Sequence, residues 1–295
     1  MLDLKEVELQ DRDWVAPLMS KSGLKGSELT FSNLYNWSKT YTVAIGQYGG
    51  FFILRSGTST ARYFYPVGDG DFTEVINLLL EQAHDSDMPL TLFGVPAEGV
   101  KKLEQLFPEK FEFEPLRDNF DYIYLREKLA TLSGKKLHGK RNHINRFIEN
   151  NPDWTYERIT AQNLSEVFEM SIKWCKANDC NETHSLQREA CAVKSALENF
   201  EYLDLTGGLL RSSGEVIAFT FGKPVTEDTF VVHVEKAFAE IQGAYPMINQ
   251  QFVINELEAY TYVNREDDVG DPGLRKAKES YQPAIMYERY LAKEK

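Results

Sequence analysis

A chain of 295 residues, 42% hydrophobic and 13% aromatic, has ample apolar material for folded cores and length for two domains of about 150 residues, which excludes global disorder. Its 45 acidic and 33 basic side chains leave a formal charge of −12 spread over both halves, which excludes a broad nucleic-acid-binding face and leaves room only for a local basic patch. No stretch reaches the ~20 apolar residues of a membrane span, and the acidic N-terminus MLDLKEVELQD lacks the parts of a secretion signal. Three cysteines without a framework fit a reducing compartment, so a cytoplasmic protein is expected.

In chain order, the stretch 11–40 reads as helical at first, with Asp13 able to cap a helix at Trp14–Met19. Tyr41, Val43 and Ile45 alternate, residues 47–50 turn, and Phe51 and Ile53 return, which is the pattern of a β-hairpin. Tyr63–Tyr65 ends a strand, Asp71 caps a helix over Phe72–Gln82, and Pro89–Val95 reads as a buried strand. Pro96 opens another helix, and Phe111–Leu125 supplies one or two more strands. This alternating half closes near Lys128.

The second half repeats the grammar. Helices are expected over Lys135–Asn150, from Asn163 or Ser165 to Trp174, and over Leu186–Asn199, with a strand at Trp154–Ile159. Strands follow at Tyr202–Leu210, Val216–Lys223 and Thr229–Glu235, and a glycine turn at Phe238–Ala244 feeds a helix at Pro246–Ala259. That order fits an N-acyltransferase core, although a generic mixed α/β domain gives a similar string.

Three constellations bear on chemistry. Ser133–Phe147 holds five Lys/Arg and no acid, a local reversal in an acidic chain. Leu137, Arg141, Ile144 and Ile148 share one helical face there, so Arg141 needs either a structural partner or a ligand anion. The strand ending His233-Val234-Glu235-Lys236 runs into a turn whose helix-start amides, at Gly243, can cradle an oxyanion or phosphate. A coenzyme A motif would place Arg or Gln where Glu240 stands, which disfavours that cofactor. Third, Asn264–Arg275 packs four acids and two bases with glycines and a proline, and Lys276, Lys278, Tyr281 and Pro283 follow. So polar a run is expected to be a solvated turn or the wall of a charged site, not core. Cys175, Cys180 and His184 have loosely metal-like spacing, but no fourth ligand is near and no metal site is expected.

The strings LSGKKLHGKRNHINRF, HVEKAFAEIQGAYPMINQQF and YVNREDDVGDPGLRKAKESYQP, with Asn33–Trp37 and Asp121–Tyr124, resemble the C-terminal-domain family of phosphatidylglycerol lysyltransferases over nearly the whole chain. The resemblance implies α/β architecture with two tandem acetyltransferase-like (GNAT) domains, here 1–129 and 130–295, related to the Fem peptidyltransferases. It implies transfer of an aminoacyl group from aminoacyl-tRNA to an amine or hydroxyl acceptor, a small molecule or a lipid headgroup, without a further cofactor. Lys278 is the firmest match, and Lys136, Lys140, Arg141 and Asn142 match the family's basic helix. Lys278 is the candidate cation for the oxyanion or a donor phosphate, and Asp268 or Glu235 the proton acceptor; a structural alternative pairs Asp268 and Lys278 with neighbours such as Arg275. Arg265, Gly243 and Tyr281 complete the expected substrate-binding set. Two other readings stay open: an N-acetyltransferase using acetyl-coenzyme A, and a non-catalytic protein binding an anionic ligand.

Overall fold

The computed structural model of the protein describes residues 2–58, 61–180 and 183–295. The first elements are α1 (Arg12–Lys21), α2 (Phe31–Ser38), β1 (Val43–Tyr48), β2 (Phe51–Ser56), β3 (Arg62–Phe64), β4 (Val67–Gly68), α3 (Phe72–His84), β5 (Thr91–Pro96), α4 (Ala97–Leu106) and β6 (Phe111–Pro115). There follow β7 (Asp121–Leu125), α5 (Arg126–Thr131), α6 (His138–Asn150), β8 (Thr155–Arg158), α7 (Leu164–Ala177), α8 (His184–Glu198), β9 (Thr206–Ser212) and β10 (Glu215–Pro224). The chain ends with β11 (Thr229–Ala237), α9 (Ala244–Glu256), β12 (Tyr262–Asn264), α10 (Pro272–Glu279), β13 (Ile285–Tyr287) and β14 (Arg289–Glu294).

Most local expectations hold. Asp71 accepts hydrogen bonds from the amides of Thr73 and Glu74 and caps α3, whose Val75, Ile76, Leu79 and Leu80 are buried. The β1–β2 hairpin pairs Tyr48 with Phe51, and Gly49 and Gly50 take φ of 54° and 87°, the left-handed pair that a two-residue turn requires. At the N-terminus the expectation shifts: α1 begins at Arg12, so Asp13 lies in its first turn and is not its cap.

The chain forms two compact units, and both are discontinuous. The first comprises residues 1–121, 267–271 and 286–295, the second 122–266 and 272–285. The sequence predicts two continuous domains, 1–129 and 130–295. The difference lies in the strands each unit takes from the other half of the chain. In the first unit the sheet order is β1-β2-β3-β5-β14-β6, with β4 on β2, so the final strand lies antiparallel between β5 and β6. Arg289 opens β14 and is buried, with Nη1 and Nη2 donating to the two carboxylate oxygens of fully buried Asp121 at 2.9 and 2.7 Å and a further pairing to Glu28. Asp121 also accepts from the Ser27 amide at 2.8 Å. A buried charge this well paired is costly to break, which ties β14 to the first unit.

The second sheet runs β13-β7-β12-β11-β10-β9-β8. Strands β8 to β11 form an antiparallel meander, whereas β11 and β12 are parallel and joined by the crossover helix α9. Helix α9 packs across β9, β10 and β11, and α7 packs on β10 and β11. Consecutive residues of β11 show that these helices cover opposite faces, because Glu235 meets α9 and Lys236 meets α7 and α8.

Two residue-level expectations are corrected. Cys175 in the last turn of α7 and Cys180 just beyond it, read as thiols without a framework, have Cα atoms 5.2 Å apart and form a disulfide, leaving Cys191 free. The polar run after Tyr262 is also less solvated than its composition implies. Asn264, Asp268 and Lys278 are buried because each polar group finds an internal partner: Asn264 accepts from the Glu266 amide, Asp268 from the Gly270 amide and Arg117, and Lys278 donates to the Arg265 carbonyl.

Candidate functional site

The site grows from the way β11 and β12 part. Their parallel pairing covers only Thr229–Val231 against Tyr262–Asn264. On the other side, β10 pairs Phe221 with Val234 and Gly222 with Val232, so His233 is an extra residue, a β-bulge. Gly222 is required there, since a Cβ would meet the Val231 carbonyl oxygen at 1.9 Å. A bulge bends its strand and re-aims the following side chains, and here it does so where β11 leaves β12. Beyond the last backbone pair, side chains span the gap: His233 Nδ1 lies 2.8 Å from Glu266 Oε1, and Arg265 Nη2 donates to Glu235 Oε1 at 2.8 Å.

A cluster assembles around that second pair. Asn249, buried in α9, donates to the other oxygen of Glu235 at 2.9 Å. The Arg265 guanidinium lies 4.8 Å from the ring centre of Tyr281 and 5.8 Å from that of Tyr124, and those rings are edge-to-face. Nη1 of Arg265 and Oδ1 of Asn249 are buried without a hydrogen-bond partner. Lys278, in α10, places its ammonium 2.6 Å from the Arg265 carbonyl, while its own carbonyl accepts from the Tyr124 hydroxyl at 2.8 Å. The Arg265 backbone is thereby held at its carbonyl by Lys278, and its amide donates to the Tyr122 carbonyl at 2.9 Å. Lys140, in α6, completes the cluster with its ammonium 4.0 Å over the Tyr281 ring.

Burial and charge set the protonation states. Burial first, and then the Arg265 charge, push the Lys140 ammonium down from 10.5 to about 8, with Glu235 opposing. Burial raises the Tyr281 and Tyr124 hydroxyls well above the ordinary phenol range although Arg265 pulls the other way. Burial works against the Arg265 charge, and Glu235, Tyr124 and Tyr281 more than offset it.

Of the expected site residues, Glu235, Arg265, Tyr281, Lys140 and Lys278 meet in this cluster. Arg141 does not join it. Its Nη1 donates to the carbonyl oxygens of Leu132 and Gly134, the latter at 2.9 Å, and it lines a separate polar hollow of about 300 Å³ with His138, Asn142, Asn145 and Gln250. The face that α6 buries carries Ile144 and Phe147, whereas Ile148 is exposed, so Arg141 is spared the apolar surroundings expected for it. Lys136 is exposed. Asp268 belongs to the first unit, where Arg117 and the Gly270 amide hold its fully buried carboxylate.

Gly243 has a packing role. It takes φ of 86° at the start of α9, and a Cβ would meet the His143 carbonyl oxygen of α6 at 2.2 Å. The cradle expected there is also depleted, because the Ala244 amide donates to the Ile241 carbonyl and Pro246 has no N–H. Asn249 and the His233–Glu266 pair were missed in the sequence. The charged end of β11 was visible, but nothing in the pattern of α9 marks Asn249 as facing it.

The chain thus builds two mixed α/β units, the second opened by a bulge beside a charged cluster. The match to phosphatidylglycerol lysyltransferase, C-terminal, spans residues 20–293, and the chain belongs to that family. A conserved protein of unknown function from Bacteroides thetaiotaomicron is 42% identical, with all of both chains covered and a TM-score of 0.94. The C-terminal domain of a putative lysylphosphatidylglycerol synthetase from Agrobacterium fabrum shares the fold at 15% identity, over 97% of this chain and 92% of that one, with a TM-score of 0.68. L-PGS from Bacillus licheniformis does so at 20% identity, over 83% and 81%, with a TM-score of 0.58. An uncharacterized protein of Mycoplasmoides gallisepticum is 26% identical over 234 residues, 76% of this chain and 70% of that protein. Among the described residues no helix is long and apolar enough to cross a membrane.

Proposed function

We propose that the second unit transfers an aminoacyl group from aminoacyl-tRNA to an amine or hydroxyl acceptor at the Glu235–Arg265–Lys140 cluster. The observation that carries this reading is Lys140, a lysine held near pKa 8 beside a fixed carboxylate and a buried guanidinium. An ester is already activated, so the protein has to orient it, remove a proton from the nucleophile and stabilise the oxyanion. Neutral Lys140 takes the proton as the acceptor's nitrogen or oxygen bonds to the ester carbonyl carbon. The resulting ammonium returns it to the departing ribose oxygen as the ester C–O bond breaks. Arg265, with a hydrogen-bonding nitrogen still to be satisfied, supplies positive charge for the oxyanion, while Glu235 and Asn249 keep it in place.

Lys278 is a positioning residue in this scheme, since its ammonium holds the Arg265 carbonyl. Exposed bases of the Ser133–Phe147 segment, Lys135, Lys136 and Arg146, are the proposed phosphate contacts for the tRNA. The depleted amide cradle at Gly243 and the acid at Glu240 weigh against coenzyme A as the donor.

The test uses the purified chain with radiolabelled aminoacyl-tRNA and a panel of soluble amines, hydroxyl compounds and lipid headgroups. Binding is expected to weaken steeply with salt, with a slope of roughly −0.9 per phosphate contact on a double-logarithmic plot. Turnover is expected to rise through pH 8 and to fall by about 10²–10⁴-fold in Lys140→Met. Binding without product would favour the non-catalytic anion binder. Absence of binding at low salt would sink the tRNA donor.

A further inference from the structure

The second unit contains a cavity that the transferase reading does not use. It lies between α7 and α8, on the face of the sheet opposite Glu235, with a volume of about 390 Å³, the size of a small-molecule site. Most of its lining is carbon and sulfur, from Phe168, Ile172, Trp174, Val193 and the cysteines. At its floor sits a charge. Lys236 is buried, its ammonium 3.7 Å from the Trp174 ring centre and 2.7 Å from Glu189 Oε1. The indole beneath it is fixed, because Trp174 Nε1 donates to the Ala237 carbonyl at 3.1 Å and lies 3.3 Å from the Tyr245 hydroxyl.

The charge balance of this cavity reverses that of the protein. Lys176, Lys194 and Lys236 stand in its lining against the single carboxylate of Glu189, in a chain of net charge −12. Lys194 also pairs with Glu198 outside the lining at 2.7 Å. Burial lowers the pKa of the Lys236 ammonium more than Glu189 restores it, so a second negative partner would be favoured there. Glu189 is a third exposed and can turn to water when another anion takes its place. Apolar walls ending in an under-compensated ammonium match a ligand with an apolar body and an anionic end.

We propose that this cavity binds a single-chain carboxylate from solution, with its head on Lys236 and its tail between Phe168, Ile172 and Val193. The site is independent of the transferase reading.

The test is titration of the full chain with decanoate, decanol and decyltrimethylammonium, followed by Trp174 fluorescence and calorimetry, with vesicles of equimolar phosphatidylcholine and phosphatidic acid as a separate arm. Decanoate is expected to bind at least about 10-fold more tightly than decanol, the worth of one charge-assisted bond, and decyltrimethylammonium is expected not to bind. Lys236→Met should erase that preference. Ile172→Trp, at a position 42% exposed and therefore tolerant of substitution, should block decanoate by filling the cavity. This variant keeps the proposal testable if Lys236→Met fails to fold. Equal affinity for decanol and decanoate, decanoate binding unaffected by Ile172→Trp, binding to vesicles alone, or no decanoate binding at about 1 mM would overturn it.

Discussion

Replacing Lys140 with methionine isolates the electrostatic cost of the cluster. Methionine keeps an unbranched apolar stem against Tyr281 while removing the charge. In the folded protein the ammonium titrates near 8, against 10.5 when unperturbed. Because the folded value is the lower one, the unfolded chain binds more protons between those limits, and stability rises with pH across that window. Below pH 8 both states are charged and the folded state bears the full penalty; above 10.5 both are neutral and the penalty is gone. The shift corresponds to about 3 kcal/mol as an upper bound, reduced by the solvent that Lys140 still meets and by its attraction to the Tyr281 ring. Denaturant unfolding between pH 7 and 11 should therefore show a rise in wild-type stability of roughly 1–3 kcal/mol that is missing in Lys140→Met. At pH 7 the variant should be the more stable protein. NMR of reductively methylated Lys140 reads the pKa directly. A value at or above 10, or identical pH slopes for the two proteins, would refute the reasoning and remove the proposed proton acceptor.

Further outcomes follow from other contacts. Glu235→Gln leaves the buried Arg265 without its counter-charge and should cost about 3–5 kcal/mol in denaturant unfolding, whereas Glu235→Gln combined with Arg265→Met should recover much of the loss. Gly243→Ala forces a Cβ into the His143 carbonyl from a left-handed backbone and should cost roughly 2–4 kcal/mol, seen as a lower Tm. Tyr124→Phe removes one bond to the Lys278 carbonyl and should cost about 1 kcal/mol, again by denaturant unfolding. Asp121→Ala removes the fully buried carboxylate from the Arg289 guanidinium, leaving Glu28 as its acidic partner, and should destabilise by about 3 kcal/mol, with amide exchange rising first along β14.

Local patterns were legible wherever neighbouring residues decide the outcome. Asp71 with the Val75–Leu80 stripe specified α3, and Gly49–Gly50 between alternating apolar residues specified the first hairpin. The basic character of α6 and the charged end of β11 were equally visible. What lay hidden was partnership. Lys140 and Arg141 are adjacent and alike in charge, yet one faces Tyr281 and the other two carbonyl oxygens, because successive helical residues point about 100° apart. Asp268 looked like a base and is a turn-forming residue bound by Arg117.

By itself, then, the amino-acid order determined the class of fold, the succession of helices and strands and the family, since propensity, capping and apolar period act over a few residues. Only the tertiary structure decided that β7 joins the sheet of the second unit while β14, at the far end of the chain, returns to that of the first, and that a bulge at His233 parts β11 from β12. The physical reason is that a buried charge is tolerable only where its counter-charge and hydrogen-bond partners converge. Arg265 finds Glu235 thirty residues away and Arg289 finds Asp121 at a separation of 168, distances over which no local pattern carries information.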